Sequence, residues 1–246
     1  MFDSYQLRQR ITKYNGQNFN WVHSFLSIVT ANTTMYYVTS YLGLNVLIYN
    51  EYWEYQRIVY LQQHSSYSAY INDEIYITGD DGVKKYDKEL NLIARSNEQY
   101  SYRGIYFNNS NDMIFMANCL NHKIDKFNQS LSLVDSISIP FMPWIITSYN
   151  GMMVISDDST SGIIFFYKDG ISTQTITTIC GNRVNSILFD NYDHMIVLCG
   201  SYVYIYHTNG TYTGIGMNVF NESIYMNFDS KDRLIILGWY DIKIFY

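Results

Sequence analysis

Proline is almost missing from this chain, with two in 246 residues beside 14 glycines, and that scarcity excludes collagen-like and linker-dominated sequences. Cysteine is scarce as well. Cys119, Cys180 and Cys199 are odd in number and lack any Cys-x-x-Cys spacing, so neither a disulfide framework nor a structural zinc site is expected, and the thiols read as ordinary buried side chains. Charge is sparse, at 15% of residues, and its balance is acidic. A formal net charge of −6 repels a phosphate backbone, whose binding rests on Lys and Arg releasing condensed counterions, so nucleic acid is an unexpected partner. No apolar run approaches the roughly 18 to 20 residues needed to span a bilayer. The opening MFDSYQLRQR lacks the hydrophobic stretch of a secretory signal, which leaves the compartment open between the cytoplasm and a trimmed extracellular domain.

Aromatic and apolar side chains are abundant instead. Hydrophobic residues make up 48% of the chain, with 26 Tyr and 13 Phe, far more than a disordered chain carries, and predict a large core. The length suits one closed all-β domain over residues 1–246.

A short apolar run follows a polar turn six times: MYYVTS at 35–40, IYITGD at 75–80, IFMANC at 114–119, MVISDD at 153–158, MIVLCG at 195–200 and LIILGW at 234–239. One matched position from each, Val38, Ile77, Met116, Ile155, Val197 and Ile236, recurs at intervals of 39, 39, 39, 42 and 39 residues. Such a period belongs to propellers. Each run is preceded by a strand-like segment and a turn, of which Asp190 to Asp193 and Asp229 to Asp232 are the clearest, since Asp bonds nearby backbone and tolerates left-handed geometry. A third strand-like segment follows each run, and a fourth follows in five units, so each unit holds the four short antiparallel strands of a blade.

The sixth unit, 221–246, lacks its fourth strand, while residues 5–12 (YQLRQRIT) stand outside the first unit with strand composition. Pairing the two completes the last blade and removes an exposed sheet edge. The expected fold is therefore all-β, a six-bladed β-propeller of four-stranded antiparallel blades closed by the N-terminal strand.

In the third unit, IFMANCLNHKIDKF at 114–127 resembles the signature of the NHL-repeat family, with Asn121, His122, Lys123 and Phe127 at the matching positions. The resemblance implies a six-bladed propeller in which Asn-His-Lys organises the turn between two strands. Six-bladed relatives also include zinc-dependent lyases and calcium-dependent hydrolases. Among the histidines, His122 and His194 are expected on opposite faces, and the five as a set share no repeated position. Asp80-Asp81 and Asp157-Asp158 are the best oxygen donors for calcium, though they lie two units apart. No Ser-His-Asp ordering, phosphate cradle or nucleophile elbow stands out, and no cofactor is expected.

The loops joining fourth to first and second to third strands form the expected binding face. Its preferred residues are Arg103, Tyr102, Trp144, Arg183, Asn185, Tyr202, Glu222, Trp239 and Tyr240, with Tyr67, Phe141 and Asn182 among further contributors. Exposed Tyr, Trp and Arg give large contact area at small entropy cost. Arg103, just ahead of Gly104, is expected at the channel mouth as an anchor for an acidic or carbonyl-bearing group. The expected function is non-enzymatic recognition of a protein or peptide. Glycan binding and a metal-dependent hydrolase or lyase are the alternatives.

Overall fold

The computed structural model describes residues 7–14, 17–19, 22–30, 33–40, 44–61, 64–159, 161–219 and 223–245. These residues form six four-stranded antiparallel sheets and a small two-stranded pair, Lys13–Tyr14 with Gln17–Asn18. The sheets are the six blades in chain order. Their innermost strands are Val22–Val29, Ser65–Ile71, Tyr102–Asn108, Pro143–Tyr149, Val184–Phe189 and Ser223–Phe228. Each innermost strand packs on the next, and that of blade six packs on blade one, which closes the ring. No helix long and apolar enough to cross a membrane occurs among the described residues.

The repeating apolar runs are the second strands. Val38, Ile77, Met116, Ile155, Val197 and Ile236 are all fully buried, and each pairs with an equivalent innermost-strand residue: Phe25, Ser68, Ile105, Ile146, Ile187 and Met226. A second strand lies between two strands of its own sheet and under the neighbouring blades on both faces, so it reads as a continuous apolar run instead of alternating. Burying one such Val, Ile or Met contributes about 1.5 to 3 kcal/mol. The core is accordingly divided into six clusters among the described residues, one at each blade interface. In one of them Phe25, Tyr36 and Val38 of blade one meet Ile235, Leu237, Ile242 and Ile244 of blade six.

The Asp-x-x-Asp turns behave as expected. Asp190 accepts from the Tyr192 and His194 amides, Asp229 from those of Lys231 and Arg233, and Asp193 and Asp232 take positive φ of 61° and 55°. In the third blade, Asn121 donates to Asn118 at 3.1 Å and Asn118 to the buried Asp125 at 2.7 Å, while His122 turns the chain at φ 53°. The Asn-His pair thus organises a turn.

Closure occurs where the unpaired sixth unit requires it. Strand Leu7–Ile11 runs antiparallel beside Ile242–Phe245, pairing Gln9 with Ile244, Arg10 with Lys243 and Ile11 with Ile242. Beneath this pair the Asp241 carboxylate accepts from Lys243 Nζ at 2.9 Å and Arg10 Nε at 2.7 Å.

The cysteines depart from expectation. Cys180 and Cys199 form a disulfide with Cα atoms 6.2 Å apart, and Cys119 is free and buried. The reason is the hairpin between them. The chain runs out along Val184–Phe189 and back along His194–Cys199, so Cys199 returns opposite Val184, four residues past Cys180. Linear spacing alone does not display that return.

Around the axis the blades approach closely. An added Cβ on Gly104 would sit 2.5 Å from the Ile146 amide nitrogen and 3.0 Å from Ile145 Cα, both backbone of the next blade. Gly104→Ala is expected to cost about 1 to 3 kcal/mol by forcing blades three and four apart, read as a lower urea midpoint at unchanged slope.

Candidate functional site

Every innermost strand begins with a β-bulge at the same end of the ring. The register breaks between Val22 and Ser24, Ser65 and Ser68, Tyr102 and Ile105, Pro143 and Ile146, Val184 and Ser186, and Ser223 and Tyr225. A bulge leaves a residue out of the ladder and re-aims its side chain. Here the displaced residues His23, Tyr67, Arg103, Trp144, Asn185 and Ile224, one from each blade, line a single recess of about 180 Å³. Arg183, just ahead of the blade-five strand, and Trp239, just after the second strand of blade six, complete its wall. A more open depression of about 340 Å³ adjoins it over Asp158, Asn182 and Gly200, sharing Arg183, Asn185, Ile224 and Trp239.

Trp144 is the centre of the wall. The Arg183 guanidinium lies 3.9 Å from its ring centroid and that of Arg103 lies 5.4 Å away. Both arginines are also ion-paired. Arg103 donates to Asp80 of blade two at 2.8 Å and to Ser66 at 2.7 Å, and Arg183 donates to Asp158 of blade four at 2.8 Å. Each bridge thus links a blade to the one before it. Of the four carboxylates that read as calcium donors, Asp80 and Asp158 are committed to arginines, Asp81 pairs with Lys84 and Asp157 accepts from the Ser159 amide.

The floor is aromatic. Tyr67 donates to the Asn185 carbonyl at 3.5 Å, meets Tyr225 edge-on at 5.7 Å, and borders the 150 Å³ channel cavity below as well as the recess above. Burial holds its phenol above the ordinary range. His23 meets Trp239 edge-on at 6.2 Å, and its pKa falls from 6.5 to about 4, chiefly through burial and then through the positive charges of Arg103 and Arg183. The imidazole is therefore neutral at neutral pH.

Of the residues singled out in the sequence, Arg103, Trp144, Arg183, Asn185, Trp239 and the further contributor Tyr67 meet in this recess. Tyr102 does not. It is fully buried between blades, with its hydroxyl on Asp125 at 2.8 Å and its ring 5.7 Å from Phe127. Adjacent strand residues face opposite ways, so a chain that sends Arg103 to the axis sends Tyr102 into the core. Phe141 is likewise core, stacked on Phe165 at 4.0 Å. Tyr202 and Tyr240 are exposed outside the recess, Tyr202 with its ring 5.9 Å from Tyr204, and Glu222 lies outside the described residues. His194 bonds Asp190 and lies at the start of its second strand, whereas His122 sits in the turn after a second strand, at opposite ends of their blades. Among the described residues no group of three or more His, Cys, Asp or Glu is placed to hold a metal ion.

Sequence reasoning passed over His23 and Ile224. Each stands 10 to 15 residues ahead of its blade's matched apolar position, as do the other bulge residues, but turns of unequal length blur the register.

No family model and no curated protein matches the chain. Solved structures do. A catalytically inactive virginiamycin B lyase from Staphylococcus aureus, solved with quinupristin, is similar at a TM-score of 0.74 and 12% identity, over 98% of this chain and 99% of that one. Selenomethionine-substituted virginiamycin B lyase from the same organism gives 0.70 at 12% identity, over 96% and 82%. The WD40 β-propeller domain of Doa1 gives 0.70 at 11% identity, over 98% and 97%. At these identities the likeness is one of fold, and it places the chain among the β-propellers.

Proposed function

We propose that this chain is a non-enzymatic recognition propeller, of the NHL kind suggested by the third-blade motif, that binds a protein or peptide at the loop face around the axial recess. One observation carries the reading: six bulges, one per blade, deliver side chains to the same concavity. Their chemistry suits recognition. Trp144, Trp239 and Tyr67 offer rigid aromatic surface, and Arg183 and Asn185 offer polar groups beside it.

Panning a displayed random-peptide library against the immobilised protein tests this directly. Selected peptides are expected to lose about 2 kcal/mol, or roughly 30-fold in affinity, on Trp239→Ala. Tyr192→Ala, an exposed change in the turn at the opposite ends of the same strands, is expected to leave binding unchanged. Saturable, Trp239-dependent binding on a glycan array, with no peptide recovered, would replace this reading with glycan recognition. Stoichiometric calcium or zinc in the purified protein would replace it with a metal-dependent hydrolase or lyase.

A further inference from the structure

We infer that the recess receives one uncharged aromatic ring from the partner, an anchor side chain of the Phe or Tyr type. The inference rests on the peptide-binding reading and concerns what enters the site.

Size is the first support. The recess holds about 180 Å³, whereas an apolar cavity of about 150 Å³ in a protein core admits benzene. One six-membered ring fits, and the shared wall of Arg183, Asn185, Ile224 and Trp239 leaves the adjoining depression for the chain that carries it. The walls agree, since Tyr67, Trp144, Trp239 and Ile224 line it with aromatic and aliphatic side chains. Aromatic pairs favour offset and edge-on contacts.

Charge decides between ring types. Arg103 and Arg183 are each matched by a carboxylate at 2.8 Å, Asp80 and Asp158, and His23 adds no charge at neutral pH. The site is therefore electrically balanced. A carboxylate entering it would give up its hydration and compete with two anions already in place. On this inference the Asp80 pair keeps Arg103 from anchoring an acidic group, while the carbonyl-bearing alternative is untouched. A cation fares no better, because the guanidiniums at 3.9 Å and 5.4 Å from Trp144 already fill the position that a ligand ammonium would take over that ring. A neutral ring loses only weakly held water and leaves both ion pairs intact.

Three probes that carry the same benzyl ring separate these possibilities: N-acetylphenylalaninamide, N-acetylphenylalanine as its carboxylate, and phenethylamine as its ammonium. Binding is followed by NMR on the tryptophan indole resonances, with Trp144→Phe and Trp239→Phe used for assignment. The neutral amide is expected to shift both indoles saturably in the millimolar range, and each charged probe to bind at least about tenfold more weakly. Ile224→Phe, which fills the recess without altering its charge, is expected to abolish the shift. Equal or tighter binding of the carboxylate overturns the inference, as does a complete lack of shift. The two readings fail separately. Panned peptides that bind through Trp239 yet tolerate alanine at all their aromatic positions refute the ring while sparing peptide recognition. Probe binding with no peptide recovered refutes recognition of peptides while sparing the ring.

Discussion

Asp241→Ala is expected to destabilise the protein by about 3 to 5 kcal/mol, because it leaves a buried ammonium without its counter-ion. Lys243 and Asp241 are each 2% exposed at the side chain and lie 2.9 Å apart. Removing the carboxylate while Lys243 stays in place exposes the remaining charge to the full cost of desolvation. Arg10, the second partner of Asp241, is 47% exposed. Its truncation costs less, about 1 to 2 kcal/mol, since Lys243 still neutralises the buried carboxylate and one hydrogen bond from a half-exposed donor is lost. The contrast makes the test specific to this geometry. Urea unfolding of both variants beside the parent measures it, and an Asp241→Ala penalty no larger than that of Arg10→Ala would show that the anion does not hold the closing blade. Because Asp241 sits where the two ends of the chain meet, most of the loss should appear as opening of the strand pair Leu7–Ile11 with Ile242–Phe245. Faster amide exchange in those two strands than in blades two to five would report that opening.

A stability rise between about pH 4 and pH 6.5 is the second large effect, and His23 is its source. The imidazole titrates near 6.5 when unfolded and near 4 when folded, so within that window the unfolded chain binds the additional proton. Stability conferred by keeping His23 neutral is complete above the unfolded value and is lost as the pH falls toward the folded one. A displacement of this size corresponds to at most about 3 kcal/mol. Burial is the main cause, with the guanidiniums of Arg103 and Arg183 second, and Asp80 and a backbone contact to Ser66 oppose them. The measurement is the difference between the parent and His23→Gln in urea stability across pH 4 to 7, which cancels the other four histidines. A difference that grows with pH is expected. A flat difference, or an NMR titration placing His23 near 6.5, would mean that the imidazole is not enclosed among those charges.

Blade number and closure were legible because each is written locally and repeatedly. A strand buried between two blades must be apolar along its whole length, so the runs around Val38, Ile77, Met116, Ile155, Val197 and Ile236 mark one blade each. The missing fourth strand of the sixth unit then had one candidate, and Leu7–Ile11 fills that place. Six of the eight residues lining the recess were legible too. Tyr67, Arg103, Trp144, Arg183, Asn185 and Trp239 stand at blade starts or strand ends, which the repeat locates to within a residue or two.

That margin of a residue or two is also where sequence reasoning failed. Tyr102 and Arg103 are neighbours with equally suitable side chains for a binding face, and only the direction of the innermost strand assigns one to the core and the other to the axis. His23 carried no signal because its position matters only once six bulges are set in a ring. The disulfide and the pairing of Asp80 with Arg103 and Asp158 with Arg183 depend on contacts across a hairpin or between blades, at separations unrelated to the repeat.

The amino-acid sequence by itself determined the number of blades, their strand order and the way the ring is joined, because burial on both faces imposes a periodic apolar pattern that linear reading detects. Tertiary structure alone decided which side chains reach the axis, which charges are already spent on one another and which cysteines meet. Those outcomes follow from bulge direction and inter-blade distance, and no periodicity in composition encodes either.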